Sequence, residues 1–496
     1  MTERAAGGLA LALGMALGIG MGGSQPAAAQ NIRITGTTWI QSIELRPLRD
    51  DSVRIADAMG DGAYRTSATG QLVRCVDGQP FCHFSTSGAR ATTTPLLQDL
   101  AIVAWGLGQG VSFHAQGRAR SSLGGKETLW PRMGDRFDVI DAYLELDRAR
   151  ARARVGRLWA MNGLGAYSFD GASLMLRRWG GSLEAYGGRA LVQGLNEGYT
   201  SSEIGAIDDL PPDDHGYLIG ARLRLRPNAA SAVSAVYQRV VRSDRAALYS
   251  ERTSLDVTTR ALNATLDGSL AYDIATNNVN EVRLRASRRI VLRFDGALEA
   301  RRHRPFFELW TIWGAFAPVG FDEGRADLRW RSKGDGLHLG VHGAYRTYDE
   351  SFAGTTFLPL RSDGWRAGTS ATWIASEQLA ASASYDVDIG FGSSRSDGSA
   401  GLRWTPRDGV FLGANGSAFQ TIYEFRVGTG RVIGIVLEGG MRLTGDVRLA
   451  ADAGVYRHRL TSGAPGTDWS QRRASVRLEW VVGSDPGQVG GRGVVQ

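Results

Sequence analysis

Residues 140–146 read Ile-Asp-Ala-Tyr-Leu-Glu-Leu, and this stretch decides the fold. Ile140, Ala142, Leu144 and Leu146 fall on one face of an extended chain, while Asp141, Tyr143 and Glu145 fall on the other. A period of two with one apolar face is the mark of a strand that separates an apolar medium from a polar one. The same rhythm sets Leu292, Phe294, Gly296, Leu298 and Ala300 against Arg293, Asp295, Glu299 and Arg301. It sets Val447, Leu449, Ala451, Ala453 and Val455 against Arg448, Asp452, Tyr456 and His458, and Ala474, Val476, Leu478, Trp480 and Val482 against Arg473, Ser475, Arg477 and Glu479. From Leu97 to Val482 the chain repeats units of about ten residues followed by a break.

The breaks alternate in length. Short ones at Asp147–Arg150, Arg226–Ala230, Lys333–Gly336, Ser376–Gln378, Pro406–Gly409 and Thr444–Asp446 read as tight hairpin turns. Longer ones separate them at Ser121–Asp135, Leu191–His215, Ser243–Ser254, His303–Asp322, Asp349–Asp363 and Leu460–Ser470. Short turns on one side and long loops on the other are the pattern of a transmembrane barrel. With the turn at Asp147–Arg150 periplasmic, the last strand points back to the periplasm, where an even barrel must end. The segments Arg33–Leu45 and Asp99–Leu107 are strand-like, and including both predicts a single antiparallel β-barrel of about 22 strands over residues 30–482. Residues 46–98 then form a long first loop. The alternative is a barrel of about 20 strands preceded by a small N-terminal β domain or plug. Trp39, Trp105, Trp159, Trp179, Trp330, Trp365, Trp373, Trp404 and Trp480 are expected near strand ends, at the membrane interfaces.

The first 29 residues differ in kind. Arg4, the apolar and Gly-rich stretch Leu9–Met21, and Ala27-Ala28-Ala29 before Gln30 have the order of a cleaved secretory signal. After Gln30 no window carries the ~18 consecutive apolar residues of a membrane-spanning helix. Residues 483–496 read as a flexible Gly-rich tail. Glycine accounts for 66 of 496 residues, which suits strands and turns. The net charge of +7 comes from interleaved acids and bases with no basic block, so nucleic-acid binding is not expected. Nearly every base is arginine, with lysine only at Lys126 and Lys333. Cys75 and Cys82 bracket a turn in an exported chain, and a disulfide is expected; the rival is a metal or redox pair with His83.

Arg148, Arg150, Arg152 and Arg154 alternate beside Asp141, Glu145 and Asp147 on the preceding strand. Arg222 and Arg224, Arg283 and Arg285, Arg293, Glu299, Arg301, Arg325, Arg329 and Arg331 continue the theme. Charge on the lipid face costs ~2–4 kcal/mol at the midplane, so these side chains are expected to line the lumen. Two readings stay open: a water-filled pore favouring polar or anionic solutes, or ladders that brace and plug the interior. The segment His303–Asp322 is too apolar for a solvated loop, and Phe306, Phe307, Trp310, Trp313 and Phe316 are candidates for an inward-folding constriction. No nucleophile elbow, zinc-protease or P-loop motif occurs. No cofactor or metal is expected, and His338 and His342 alternate onto one strand face without a third ligand.

With its exported start, alternating strands and long-loop, short-turn rhythm, the chain resembles the bacterial porin-type outer-membrane β-barrels. The stretch Gly156–Gly171, GRLWAMNGLGAYSFDG, is similar in style to strand-loop-strand segments of the large specific porins. The resemblance implies a bacterial outer-membrane location, contact with outer-membrane lipid and passage of small solutes. A structural barrel that holds a protein partner through residues 46–98 and 303–322 is the alternative, and a barrel enzyme with a rim cluster of His, Ser or Asp is a third class. The chain departs from the family at its end: a Gly-rich tail follows Trp480, where such barrels stop at a terminal aromatic residue.

Overall fold

The computed structural model describes residues 31–46, 48–60, 64–68, 72–76, 78–124, 137–191, 216–242, 248–304, 319–349, 362–390, 393–424, 430–460 and 468–483. In chain order, β1 is Ile32–Leu45, and five short strands follow it: β2 Leu48–Arg54, β3 Ala58–Met59, β4 Tyr64–Ser67, β5 Leu72–Cys75 and β6 Phe81–Ser87. Next come β7 Ala91–Thr93, β8 Pro95–Gly108, β9 Val111–Ser122, β10 Phe137–Asp147, β11 Ala151–Asn162, β12 Gly165–Arg178, β13 Gly181–Ala190 and β14 Gly216–Asn228. They are followed by β15 Ser231–Arg242, β16 Leu248–Ala261, β17 Ala264–Asp273, β18 Asn278–Val291, β19 Phe294–His303, β20 Phe321–Arg331 and β21 Leu337–Tyr348. The series ends with β22 Asp363–Ile374, β23 Leu379–Gly390, β24 Ser393–Arg407, β25 Val410–Glu424, β26 Gly430–Arg442, β27 Val447–Leu460 and β28 Trp469–Gly483.

One antiparallel sheet of 23 strands closes on itself. Strand β1 pairs with β8 on one edge and with β28 on the other, so no edge is left open. The short β7 only prolongs β8 along β1, since Ile43↔Thr93 continues the register of Ile40↔Leu96. Setting β7 aside leaves a ring of 22 strands. That is the expected count.

The small β domain of the alternative reading also exists, but in a different place. Strands β2 to β6 form a five-stranded sheet inside the connection between β1 and β8, at the end away from both termini. It is an excursion of the first loop, held around buried Val73 and the Cys75–Cys82 disulfide (S–S 2.02 Å). The expected disulfide is therefore present.

The faces of the ring follow the sequence alternation. Leu176, Leu183, Leu223, Ala235, Leu255, Leu270 and Val282 meet in register from β12 to β18 and form a continuous apolar row on the outer face. Leu298 and Leu437 on that face are 67% and 60% exposed, an amount of open apolar surface that only lipid satisfies. The barrel is thus an outer-membrane one. Trp330, Trp373, Trp404 and Trp480 face outward near the short-turn end, paired with Phe294, Leu337, Leu379 and Val447 at the starts of neighbouring strands. They form an interfacial girdle. Two tryptophans depart from the expectation. Trp39 sits in mid-strand between Leu97 and Arg477 on the inner face, and Trp159 lies on the hairpin described below.

One expected loop is partly strand. Residues 243–254 read as loop, yet β16 begins at Leu248. At this height the outward Glu251 and Thr253 stand above the apolar band, so both faces are polar and no alternation betrays the strand. The ring itself is sealed at a glycine. Gly36 lies opposite Trp480, and a Cβ there would come within 2.3 Å of the indole, so the ring covers a bare backbone.

Gly36→Val should displace Trp480 and cost ~1–3 kcal/mol. The heat-modifiability midpoint on gels should fall, and much of the loss should vanish when Trp480→Ala is added. Replacing both cysteines by serine should loosen only the excursion, by ~2–4 kcal/mol. Limited proteolysis should then cut residues 48–87 faster while the barrel stays resistant.

Candidate functional site

The ladder between β10 and β11 stops early. It runs only from Asp147↔Arg152 to Ala142↔Arg157, although β10 continues to Phe137 on its other edge with β9. The ladder between β12 and β13 likewise ends at Phe169↔Ala190. Between these points the β11–β12 hairpin, residues 158–168, leaves the wall of the barrel and turns inward.

Glycines draw the fold line. Gly156, Gly171 and Gly188 lie in register on β11, β12 and β13. A Cβ at Gly156 would stand 2.2 Å from the Ala142 carbonyl oxygen, one at Gly171 2.1 Å from that of Gly187, and one at Gly188 2.2 Å from that of Asp170. Only bare backbone allows three strands to approach this closely while they bend. The departure strips β10 of partners, and side chains of the hairpin replace them. The Arg157 guanidinium donates to the Val139 carbonyl at 2.9 Å, and the Trp159 indole N–H donates to that of Ile140 at 2.7 Å. Arg157 also grips Asp170 on the opposite strand with two bonds of 2.8 and 3.0 Å, which ties the two legs at the root.

The tip is seated on the inner face of the neighbouring wall, along β13 to β17. Leu158 and Phe169 pack with Tyr186, Leu218 and Val240, and Leu164 packs with Val236 and Ala271. Leu158, Phe169, Leu218 and Val236 are each at most 2% exposed, worth about 1.5–3 kcal/mol apiece. Polar contacts fix the tip further: Arg252 donates to the Leu164 carbonyl at 3.1 Å and Arg222 donates to that of Met161. Asn162 donates to the Tyr186 hydroxyl at 3.0 Å, and that hydroxyl donates to Gln238 at 3.0 Å. The tip meets β14, β15, β16 and β17 on the face that carries Arg222, Gln238 and Arg252, opposite the apolar outer row, so that face is the lumenal one and the hairpin lies inside the barrel.

That face carries most of the charges singled out in the sequence. Arg154 pairs with Glu145 at 2.6 Å, Arg222 with Glu184 at 2.7 Å, Arg285 with Glu299 at 3.3 Å, Arg301 with Glu281 at 3.4 Å and Arg331 with Asp295 at 2.9 Å. Asp141 shares this face, opposite Gln116. At the long-loop end a chain of charges runs along the wall: Glu323 meets Arg346 and Arg366, and Asp388 meets Arg346, Arg366 and Arg395. Arg152, Arg224, Arg283 and Arg329 sit on the same face and make no ion pair among the described residues. Arg329 lines a pocket of about 330 Å³ near the short-turn end, with Asp295, Arg331, His338, Ser370 and Thr372.

Arg148 and Arg150 lie in the turn after β10 and Arg293 in the turn after β18, at the short-turn rim rather than on strands. Phe306, Phe307, Trp310, Trp313 and Phe316 fall outside the described residues. Among the described residues no group of three His, Cys, Asp or Glu side chains is placed to hold a metal ion. Alternation did not reveal the inward hairpin, because β11 and β12 keep their period of two as they leave the wall. The usable signal was local: glycines at both ends of 156–171 around a short turn on the side where loops are long.

Alanine at Arg252 should loosen the tip by ~1–3 kcal/mol, since the buried Leu164 carbonyl loses its donor, and alanine at Arg222 should do so by a similar amount, since the buried Glu184 carboxylate loses its partner. Amide exchange in residues 158–168 should quicken selectively, with the wall strands unchanged.

No protein-family model matches the chain, and no curated protein sequence matches it. Solved structures do match it in shape. A point mutant of the ferric enterobactin receptor PfeA from Pseudomonas aeruginosa, in complex with enterobactin, superposes with a TM-score of 0.54 at 10% identity, over 92% of this chain and 82% of that one. OccK7 (OpdD) of Pseudomonas aeruginosa gives 0.39 at 8% identity over 92% and 99%. A BenF-like porin of Pseudomonas fluorescens gives 0.38 at 9% identity over 91% and 98%. At such identities the likeness concerns the fold, which is that of a large bacterial outer-membrane β-barrel.

Proposed function

We propose that the protein is a passive channel for small polar solutes that favours anions. The observation that carries this reading is the set of lumenal arginines, Arg152, Arg224, Arg283 and Arg329, that form no ion pair with a carboxylate among the described residues. Paired arginines mainly brace the wall, because each guanidinium is already bonded to a carboxylate. An unpaired one in a water-filled lumen is a fixed positive charge on the path of the solute. The inward hairpin supports the same reading. A ring of 22 strands encloses more space than the 16 to 18 strands of open porins, and a hairpin folded onto its inner wall narrows the passage. The pocket beside Arg329 holds the hydroxyls of Ser370 and Thr372 and also the Asp295 carboxylate, which is bonded to Arg331, so Arg329 and the hydroxyls are what it offers a passing anion.

The folded excursion favours a second reading. A sheet stapled by a disulfide and presented beyond the barrel is a rigid surface that a protein partner can grip. A stoichiometric protein retained by the intact barrel, and lost when residues 48–87 are replaced by a short linker, would support that role.

In planar bilayers the protein should conduct, and under a potassium chloride gradient its reversal potential should lie toward that of chloride. Changing Arg152, Arg224 and Arg283 to glutamine should move the potential toward zero. Replacing residues 159–167 by two glycines should raise conductance roughly twofold or more. A folded, reconstituted barrel that passes no current would overturn the proposal.

A further inference from the structure

Outward-facing charge at the long-loop end of the barrel is balanced over most of the wall. Arg157 pairs with Asp170 at 2.8 Å, Arg302 with Asp322 at 3.9 Å, and the Tyr237 hydroxyl donates to Glu251 at 2.6 Å. One sector breaks the pattern. On β26, β27 and β28, Arg431, Arg457, Arg459 and Arg472 continue the outward series of Ile433, Val455 and Ala474 just above the apolar band. Arg431 stands directly opposite Arg459 in the ladder. Like charges so placed repel, which makes the arrangement costly unless an anion lies over it. Among the described residues the local acids are too few. Asp468 reaches Arg459 only at 3.9 Å and is 60% exposed, while Glu44 accepts from the Arg472 backbone N–H at 2.9 Å.

A largely apolar groove of about 500 Å³ opens beside Arg472 on the same outer face, with Ile435, Leu437, Ala453, Val455 and Ala474 on its apolar side and Ser42, Glu44 and Thr92 on the other. The small side chains of Ala453 and Ala474 form its floor, and Ile435 and Leu437, 57% and 60% exposed, form one side. The groove faces the bilayer, so its occupant is a membrane lipid. The arginines stand at the end opposite the chain termini, which places the headgroup in the outer leaflet. From these two features we infer that this sector binds a phosphorylated lipid of the outer leaflet: guanidinium groups take the phosphates in forked hydrogen bonds, and one acyl chain lies in the groove. A lipid held this way would also relieve the repulsion between Arg431 and Arg459.

The test uses the full-length barrel in detergent, incubated with bisphosphorylated lipid A, with dephosphorylated lipid A or with phosphatidylglycerol, and read by native mass spectrometry. One bisphosphorylated lipid A per barrel should be retained. The variant R431Q/R457Q/R459Q/R472Q should retain it at least about tenfold less well. Ala453→Trp, which fills the groove and leaves every arginine in place, should also reduce retention. An unchanged heat-modifiability shift shows that each variant is folded, and R431Q/R457Q serves if the quadruple variant fails to fold. Equal retention of the dephosphorylated lipid, or undiminished retention by the folded arginine variants, would overturn the headgroup site. Phosphatidylglycerol held as tightly as lipid A would overturn the outer-leaflet assignment.

Discussion

Inside a bilayer no water is at hand to bond a peptide group, so each backbone N–H and C=O that crosses must find a partner within the protein. A sheet meets this demand only by closing. Here closure depends on β1, which must satisfy β8 on one side and β28 on the other. The alternation of side chains follows from the same demand. Once both edges of each strand are used, the strand has only its faces left to vary, and one faces hydrocarbon while the other faces the lumen.

Against that background the β11–β12 hairpin is a breach that the molecule has repaired locally. When the hairpin swings inward, β10 loses ladder partners at Val139 and Ile140, and the carbonyls there are taken by Arg157 and Trp159 from the very strand that left. The glycines at 156, 171 and 188 make the bend possible, and the packing of Leu158, Leu164 and Phe169 on the inner face of the neighbouring strands makes it favourable. Arginines do two kinds of work in this lumen. Those bonded to carboxylates hold neighbouring strands together, and those without an ion pair among the described residues are the ones on which the proposed anion preference rests.

Much of the fold was legible in the sequence because membrane thickness and strand periodicity leave few choices. The stretch 140–146 announced the two faces, the alternation of short and long breaks announced the direction of each strand, and parity gave the even count. The disulfide was legible from its spacing and its exported context. That this first loop folds into a sheet was not, because strand-like segments of 4 to 7 residues carry too little pattern to tell a small sheet from an irregular loop. The start of β16 was hidden for a different reason: above the apolar band an outward side chain meets water, and the contrast between faces disappears. The lumenal hairpin stayed hidden because periodicity records which face is apolar and not whether the strand remains in the wall.

The disulfide in the excursion bears on how the protein is built. Cys75 and Cys82 are 7 residues apart, and the bond links neighbouring positions of two paired strands. Thiols this close in the chain can be oxidised in the periplasm before any long-range contact exists. The cross-linked hairpin is scarcely bulkier than the reduced one, so early oxidation does not hinder its passage to the far side of the membrane. The order of oxidation and membrane insertion is therefore free, and the excursion can travel while β1 still waits for β28 to complete the ring.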